Sequence, residues 1–187
     1  MLNLKIHGVD REYVSSLKKA GFNKLDLEIV QNAKIHELTP EFIRQCRDLE
    51  FPNLDLDEIM NFKIHEITPE YVQQCRNMGF SNLNAEDMMN FKIHEVTPEY
   101  LDDLKKAGFE NLSVDEVINC RIHEVTAEQA QAFAKLGFSK ISVEDAISTK
   151  IHEVTPAFIQ TMREKGFKNM SLEEYIQLKV QYGEKMK

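Results

Sequence analysis

Histidine followed by glutamate is the residue pair in this chain that could carry metal or acid–base chemistry. The pairs are His36-Glu37, His65-Glu66, His94-Glu95, His123-Glu124 and His152-Glu153. Zinc requires three or four ligands around one ion, at about 2.0–2.1 Å for a histidine nitrogen. Because the pairs are 29 residues apart, equivalent imidazoles should lie near 10 Å from each other, the distance between packed helices. We therefore expect no metal and no cofactor, and we expect each imidazole to cap either the end of the preceding helix or the loop carbonyls.

A 29-residue repeat organises the whole chain. All six histidines follow this spacing, and so do the phenylalanines Phe22, Phe51, Phe80, Phe109, Phe138 and Phe167. The residue before each Ile-His pair is basic: Lys5, Lys34, Lys63, Lys92, Arg121 and Lys150. The copies span about 5–33, 34–62, 63–91, 92–120, 121–149 and 150–178, with a tail at 179–187. Repeats of this length are typical of stacked arrays.

Each copy predicts two short helices. The first begins at Thr-Pro-Glu or a relative of it, in which Thr caps the helix and Pro suits its first position. It ends at Gly-Phe, where glycine adopts the left-handed backbone of a Schellman stop. The second begins at Asp, Asn or Ser and ends at the next Lys-Ile-His. Glu50 replaces the glycine in the second copy, at an expected cost of about 1 kcal/mol if the backbone is unchanged.

These helix pairs predict an all-α fold, an α-solenoid of six two-helix repeats in a single array. A leucine-rich repeat has a similar period, but its L-x-x-L-x-L-x-x-N strand signature is absent. The short Ile-His-Glu-Val stretch is too charged for the core of a parallel sheet. We therefore expect helices only, at 8–10 Å between neighbouring axes.

Composition restricts the classes of partner. The 187 residues include 23 Lys+Arg against 31 Asp+Glu, a net charge of −8, which is unfavourable for nucleic acid. No apolar run approaches the ~20 residues of a membrane span, and the start lacks the features of a secretory signal. Cys46 and Cys75 fall in a predicted core column, too far apart for a disulfide. Reduced thiols are typical of the cytoplasm, and we expect the protein there.

Two surface features predict a protein or peptide partner. A basic stripe follows the first helices at Lys18, Arg47, Arg76, Lys105 and Arg163, and can steer an acidic partner. Phe62 and Phe91 occupy a column that also holds Ala, Cys, Thr and Leu, a tolerance that suggests partial exposure. The candidate binding residues are therefore Phe62, Phe91, Arg47, Arg76 and Lys105.

The main alternative is a protein that sequesters a small ligand or nucleotide. Its phosphate row would be Lys63, His65, Lys92, His94, Arg121 and His123. An enzyme is not expected, because the most divergent stretches, Glu50-Phe51-Pro52 and Ala127-Glu128-Gln129-Ala130, offer no nucleophile and base. Tyr175, Ile176 and Leu178 have no following copy to cover them, which suggests a monomer or a weak homodimer through that end.

The string K/R-I-H-x-V-T-P-E-Y/F, with G-F/Y and N-L-S-x-D-E after it, resembles a known bacterial repeat. It is similar to the tandem repeats appended to sensor-transducer metallopeptidases of the beta-lactam receptor type and to other regulatory proteins. The resemblance covers essentially the whole chain and implies a helical repeat module without catalytic residues, since H-E-x-x-H is absent. The glycine usual after the histidine is present only at Gly8. Its replacement by Glu elsewhere suggests a changed loop conformation.

Overall fold

The computed structural model describes residues 8–49, 51, 54–80 and 82–182. Within these ranges the chain forms α-helices and no strand, which confirms the all-α class. The first helices of the copies are α1 (Arg11–Lys19), α3 (Pro40–Asp48), α5 (Pro69–Asn77), α7 (Pro98–Lys106), α9 (Ala127–Ala134) and α11 (Pro156–Glu164). The second helices are α2 (Leu27–Ile35), α4 (Leu56–Ile64), α6 (Ala85–Ile93), α8 (Val114–Ile122), α10 (Val143–Ile151) and α12 (Leu172–Tyr182). None of these helices has the length and apolar character needed to cross a bilayer.

The predicted start signals operate at the helix N-termini. Asp10 accepts a hydrogen bond from the Tyr13 backbone at 2.7 Å, and the Thr caps of the later first helices do the same three residues on. Capping boxes form at second helices, including those at Ser113-Glu116 and Ser171-Glu174. Each cap supplies a partner to backbone N–H groups that the helix cannot pair.

The first helices end at left-handed glycines, as predicted. Gly21, Gly79, Gly108, Gly137 and Gly166 have φ between 91° and 101°. The Phe22 N–H reaches the Leu17 carbonyl at 3.2 Å, and Phe109 bonds to Leu104 in the same way at 3.0 Å. Both are the long hydrogen bond of a Schellman stop. Glu50 and His7 lie outside the described residues.

The chain divides into two compact units, Met1–Ile93 and His94–Lys187. In the first unit the second helices contact each other in chain order, α2 with α4 and α4 with α6. Its buried core includes Leu17, Ala33, Ile43, Ile59 and Phe62. Cys46 and Cys75 are buried there as free thiols, which confirms their predicted role as small apolar side chains.

The second unit repeats this arrangement, with α8 against α10, α10 against α12, and α7 against α9. Tyr175, Ile176 and Leu178 are buried in a cluster with Phe133 and Ile159. The expectation that these side chains lack cover is therefore wrong, because residues of the fifth and sixth copies already bury them, while the monomer or weak homodimer stays a prediction. Tyr175 also donates a hydrogen bond from its hydroxyl to the Phe167 carbonyl at 2.6 Å.

Candidate functional site

The His-Glu pairs serve the backbone as helix stops. His36 is the C-cap of α2, and Glu37 follows it with a left-handed φ of 52°. The Glu37 N–H bonds to Lys34 O at 3.1 Å and the Leu38 N–H to Ala33 O at 2.8 Å, which completes a Schellman stop. Glu66, Glu95, Glu124 and Glu153 have φ of 52–54°. The loop therefore keeps a left-handed residue where Gly8 has φ 66°, and the expected change of conformation after Gly-to-Glu replacement is wrong.

The imidazoles do not perform the predicted capping. It is the histidine backbone that forms the C-cap, while the side chains of the five described histidines, from His36 to His152, make no hydrogen bond. They lie at or near the surface. Across the described ranges, no three side chains of His, Cys, Asp or Glu are grouped so that they could hold a metal ion.

The basic residue near the end of each second helix lies over an aromatic ring, except in the fifth copy. The cation faces the ring 21 residues earlier, at 4.7–5.3 Å from its centroid. The pairs are Lys34 over Tyr13, Lys63 over Phe42, Lys92 over Tyr71, Arg121 over Tyr100 and Lys179 over Phe158. A cation over the ring face gains about 0.5–2 kcal/mol. This contact ties the end of the second helix to the first helix that precedes it in the chain.

This stacking counts against the phosphate row. Of its cations, Lys63, Lys92 and Arg121 are the half-buried partners of these rings. Arg121 also donates from Nε to the His94 carbonyl at 2.9 Å and pairs with Glu95 at 3.1 Å. The imidazoles of His65, His94 and His123 make no ring contact and no hydrogen bond in the described structure.

A cleft of about 500 Å³ lies beside Lys63 and Lys92 in the first unit. Its lining also includes Glu66 and Glu70, so the formal charges of the lining balance. Both lysines face rings, Phe42 and Tyr71, that line the same cleft. The cleft therefore presents no excess positive charge to a phosphate.

The basic stripe of the first helices is mostly engaged within the protein. Arg47 stacks on Phe22 at 4.9 Å, and Arg76 donates to the Leu49 carbonyl at 2.9 Å. Arg163 stacks on Phe138 at 5.4 Å and donates to the Leu136 carbonyl at 3.0 Å. These contacts connect consecutive copies, so the guanidinium groups act as structural links. Lys105 is exposed and pairs with Asp102 on its own helix at 3.5 Å.

Phe62 and Phe91 are buried, each with 0% of its surface exposed. Phe51 packs edge-on against Phe62 with ring centroids 5.7 Å apart, and Phe80 packs against Phe91 at 5.3 Å. The expectation of an exposed docking patch at these two residues is therefore wrong. The column is a core column throughout, because Ala33, Cys120, Thr149 and Leu178 at the equivalent positions are buried as well.

An aliphatic row instead occupies one equivalent position of the second helices, which is the last residue of α2, α4, α6, α8 and α10. The exposed fractions are 50% for Ile35, 46% for Ile64 and 51% for Ile93 in the first unit. In the second unit they are 48% for Ile122, 51% for Ile151 and 60% for Val180. Hydropathy alone places Ile122 beside the core. The sequence did contain one indication that Ile122 is exposed. Val125, three residues later, is the apolar residue of the helix stop, and it is the one that is buried, with 0% exposed.

Two polar rows share that helix face with the aliphatic row of the first unit. Residues three and seven positions before each isoleucine lie on the same side of the helix. The amide row is Asn32, Asn61 and Asn90, and the acidic row is Glu28, Asp57 and Glu86. These side chains are exposed or half-exposed and form no hydrogen bond or ion pair in the described structure.

The fifth copy departs from the others at two positions that meet in space. Gln129 stands where the other copies have Tyr or Phe, and Thr149 is a buried polar residue. The Gln129 amide donates to Thr149 Oγ1 at 2.8 Å and to the Ala146 carbonyl at 3.0 Å. The Thr149 hydroxyl donates to the same carbonyl at 2.8 Å. This cluster places an amide and a hydroxyl together, without a general base.

In comparisons with known proteins, no family model matches the chain, and no curated protein or solved structure matches it. The resemblance to the bacterial repeats thus stays a prediction.

Proposed function

We propose that this protein is a non-enzymatic repeat module that binds a protein or peptide through the exposed face of its second helices. In this proposal the six two-helix copies form an α-solenoid, a scaffold that presents equivalent side chains at regular intervals. The regular helix lengths and the contacts between consecutive second helices within each unit support it. The resemblance to bacterial regulatory repeats favours the same class of function.

The exposed aliphatic row is the observation that carries this proposal. Five isoleucines at one helix position keep about half of their surface in water, from 46% to 51%. Exposed apolar side chains grouped together mark interaction surfaces more often than isolated ones do. Burying the exposed half of each isoleucine contributes about 1 kcal/mol, by the usual scale for a fully buried aliphatic side chain. Three such residues in one unit together contribute about 3 kcal/mol, so a specific contact also draws on the polar groups beside them.

The competing functions have less support. Nucleotide binding through the Lys/Arg and His row needs free cations, but three of them face aromatic rings. Catalysis needs a nucleophile with a positioned base, whereas the polar cluster at Gln129 and Thr149 pairs the Thr149 hydroxyl with an amide, and Thr149 is buried.

Selection from a random 12-residue peptide library displayed on phage tests the proposed function. The full chain is the target, and a variant with Ile35→Ser, Ile64→Ser and Ile93→Ser serves for counter-selection. The matched control carries Leu27→Ser and Phe167→Ser, whose side chains are 53% and 41% exposed but lie outside the row. We expect peptides that bind the wild type and the control at least tenfold more tightly than the triple variant. Binders that ignore the triple substitution, or no binders at all, contradict the proposed function.

A further inference from the structure

We propose that the second-helix face of the first unit binds a basic peptide in an extended, polyproline-II-like conformation, with an apolar residue at every third position. This inference rests on the proposed function and adds the chemistry of the partner. It follows from the charge, the hydrogen-bonding groups and the spacing of the three rows on that face.

Charge on this face favours a basic partner. Glu28, Asp57 and Glu86 lie on one side of the isoleucines, and the exposed Glu37 and Glu66 lie on the other. None of these five carboxylates has an ion-pair partner among the described residues. The neighbouring cations Lys34, Lys63 and Lys92 are held over rings at 4.7–5.3 Å. A second copy of the chain would set acidic rows against each other, so it is not the occupant we infer.

The amide row favours an extended backbone. An asparagine side chain both donates and accepts hydrogen bonds, as a peptide unit does. No side-chain hydrogen bond within the described structure is made by Asn32, Asn61 or Asn90. A bound α-helix has its own backbone groups paired internally, whereas a polyproline II segment leaves its N–H and C=O groups free. Each asparagine can therefore pair with one backbone unit of an extended partner.

The spacing of the copies fits three residues of such a segment. Because α2, α4 and α6 contact in order, equivalent side chains are expected about 8–10 Å apart. Polyproline II advances about 9.3 Å in its three-residue turn, so every third side chain meets an equivalent isoleucine. A β-strand repeats its face after two residues, about 6.6 Å, and falls out of step with the copies.

Fluorescence anisotropy with defined 12-residue peptides tests the inference. The probe is labelled (Leu-Lys-Pro)4, in which Leu recurs at every third position. Its controls are (Leu-Glu-Pro)4, a shuffled peptide of the same composition, and a Leu/Lys amphipathic helix. We expect the full chain to bind (Leu-Lys-Pro)4 at least tenfold more tightly than each control peptide. Equal or tighter binding of any control peptide overturns the inference.

Variants locate the binding and separate it from the general attraction of an acidic protein. Asn32→Ala with Asn61→Ala and Asn90→Ala should weaken binding at least tenfold, while Gln45→Ala, on an exposed first-helix position, should not. Asp57→Asn with Glu86→Gln should weaken binding at least fivefold. Glu12→Gln with Glu99→Gln makes the same charge change at the same helix position of first helices and should have less than a twofold effect. Equal losses in both charge pairs contradict the inference.

The two levels of proposal fail in distinguishable ways. If the library selects acidic or helical peptides whose binding requires Ile35, Ile64 and Ile93, the proposed function stands and the basic extended partner is wrong. If no peptide depends on those isoleucines, both are wrong. Circular dichroism of each variant confirms that it retains the helical content of the wild type.

Discussion

At the residue scale, the glutamate after each described histidine occupies a backbone conformation that suits glycine better. Glu124 has φ 52°, and its exposed side chain makes no hydrogen bond or ion pair with the described residues. A left-handed backbone costs an L-residue about 1–2 kcal/mol. Glycine avoids this cost, but its unfolded state has more conformational entropy, which offsets part of the gain in stability. We therefore predict that Glu124→Gly raises the free energy of unfolding by about 0.5–1 kcal/mol, measured by urea denaturation. Glu128→Gly, in the first turn of α9, is the control and should lower it; a decrease in both variants contradicts the prediction.

The buried thiols also act at the residue scale. Burial raises the pKa of Cys46 to about 12 and that of Cys120 to about 11, from an ordinary value of 9. Since the folded state disfavours the thiolate, this stability is complete below pH 9 and is lost as the pH rises towards 11–12. We predict that the urea midpoint falls between pH 9 and pH 11. Tyr13, whose pKa burial raises to about 12, adds to the fall above pH 10.

The control for this pH dependence is Cys46→Ala, which removes one titrating group. Its urea midpoint should start lower, because a buried side chain is shortened, and should then fall less steeply above pH 9. A slope equal to that of the wild type shows that the Cys46 thiol does not contribute.

At the element scale, the fifth copy lacks the cation–π contact that joins the two helices elsewhere. Gln129 replaces the aromatic ring, and its Oε1 is buried without a hydrogen-bond partner. The fourth copy shows the standard arrangement, in which the Tyr100 hydroxyl donates to the Val125 carbonyl at 3.0 Å and Cys120 is buried. We predict that Gln129→Tyr with Thr149→Cys raises the free energy of unfolding by about 1 kcal/mol, because it adds the contact with Lys150 and removes an unsatisfied oxygen.

The single variants provide the test of coupling between these two positions. Gln129→Tyr alone leaves Thr149 without the amide that bonds to it. The change in the free energy of unfolding for the double variant should therefore differ from the sum of the two single changes. The measurement is a double-mutant cycle. It compares the free energies of unfolding, by heat or urea, of the wild type, both single variants and the double variant. Additive effects contradict the direct interaction between the two side chains.

At the scale of the whole molecule, repeat arrays lose stability stepwise when a terminal copy is removed. A fragment of residues 1–153 lacks α11 and α12, which cover Phe133. We predict that it retains its remaining helices, with a lower urea midpoint and a smaller m-value, because less surface is exposed on unfolding. Loss of all helical signal in this fragment contradicts an array of nearly independent copies.

The same fragment allows a sharper comparison at Phe133. In the full chain this side chain is 1% exposed, and Phe133→Ala should cost about 3–5 kcal/mol. In the fragment its partners from α11 and α12 are missing, so the same substitution should cost much less. Equal costs in both backgrounds indicate that Phe133 is held by its own copy alone.

The amino-acid sequence by itself predicted the helix pair in each copy and the chemistry of most helix ends. These features depend on groups three to five residues apart, such as Asp10 with Tyr13 or Phe22 with Leu17. Local backbone geometry and capping hydrogen bonds account for them without a distant contact. The left-handed glutamates could not be predicted in this way, because glutamate gives no conformational signal and only the paired hydrogen bonds around it require the conformation.

Only the tertiary structure decided which side chains remain available at the surface. Phe62 was expected at the surface and is buried, whereas Ile64, two residues later, is 46% exposed. Arg76 was expected to await a partner and instead bonds to a carbonyl 27 residues away. Hydropathy and charge do not distinguish these cases, because the result depends on which helices come into contact. The candidate binding face therefore emerged from packing between copies, which no local pattern of residues encodes.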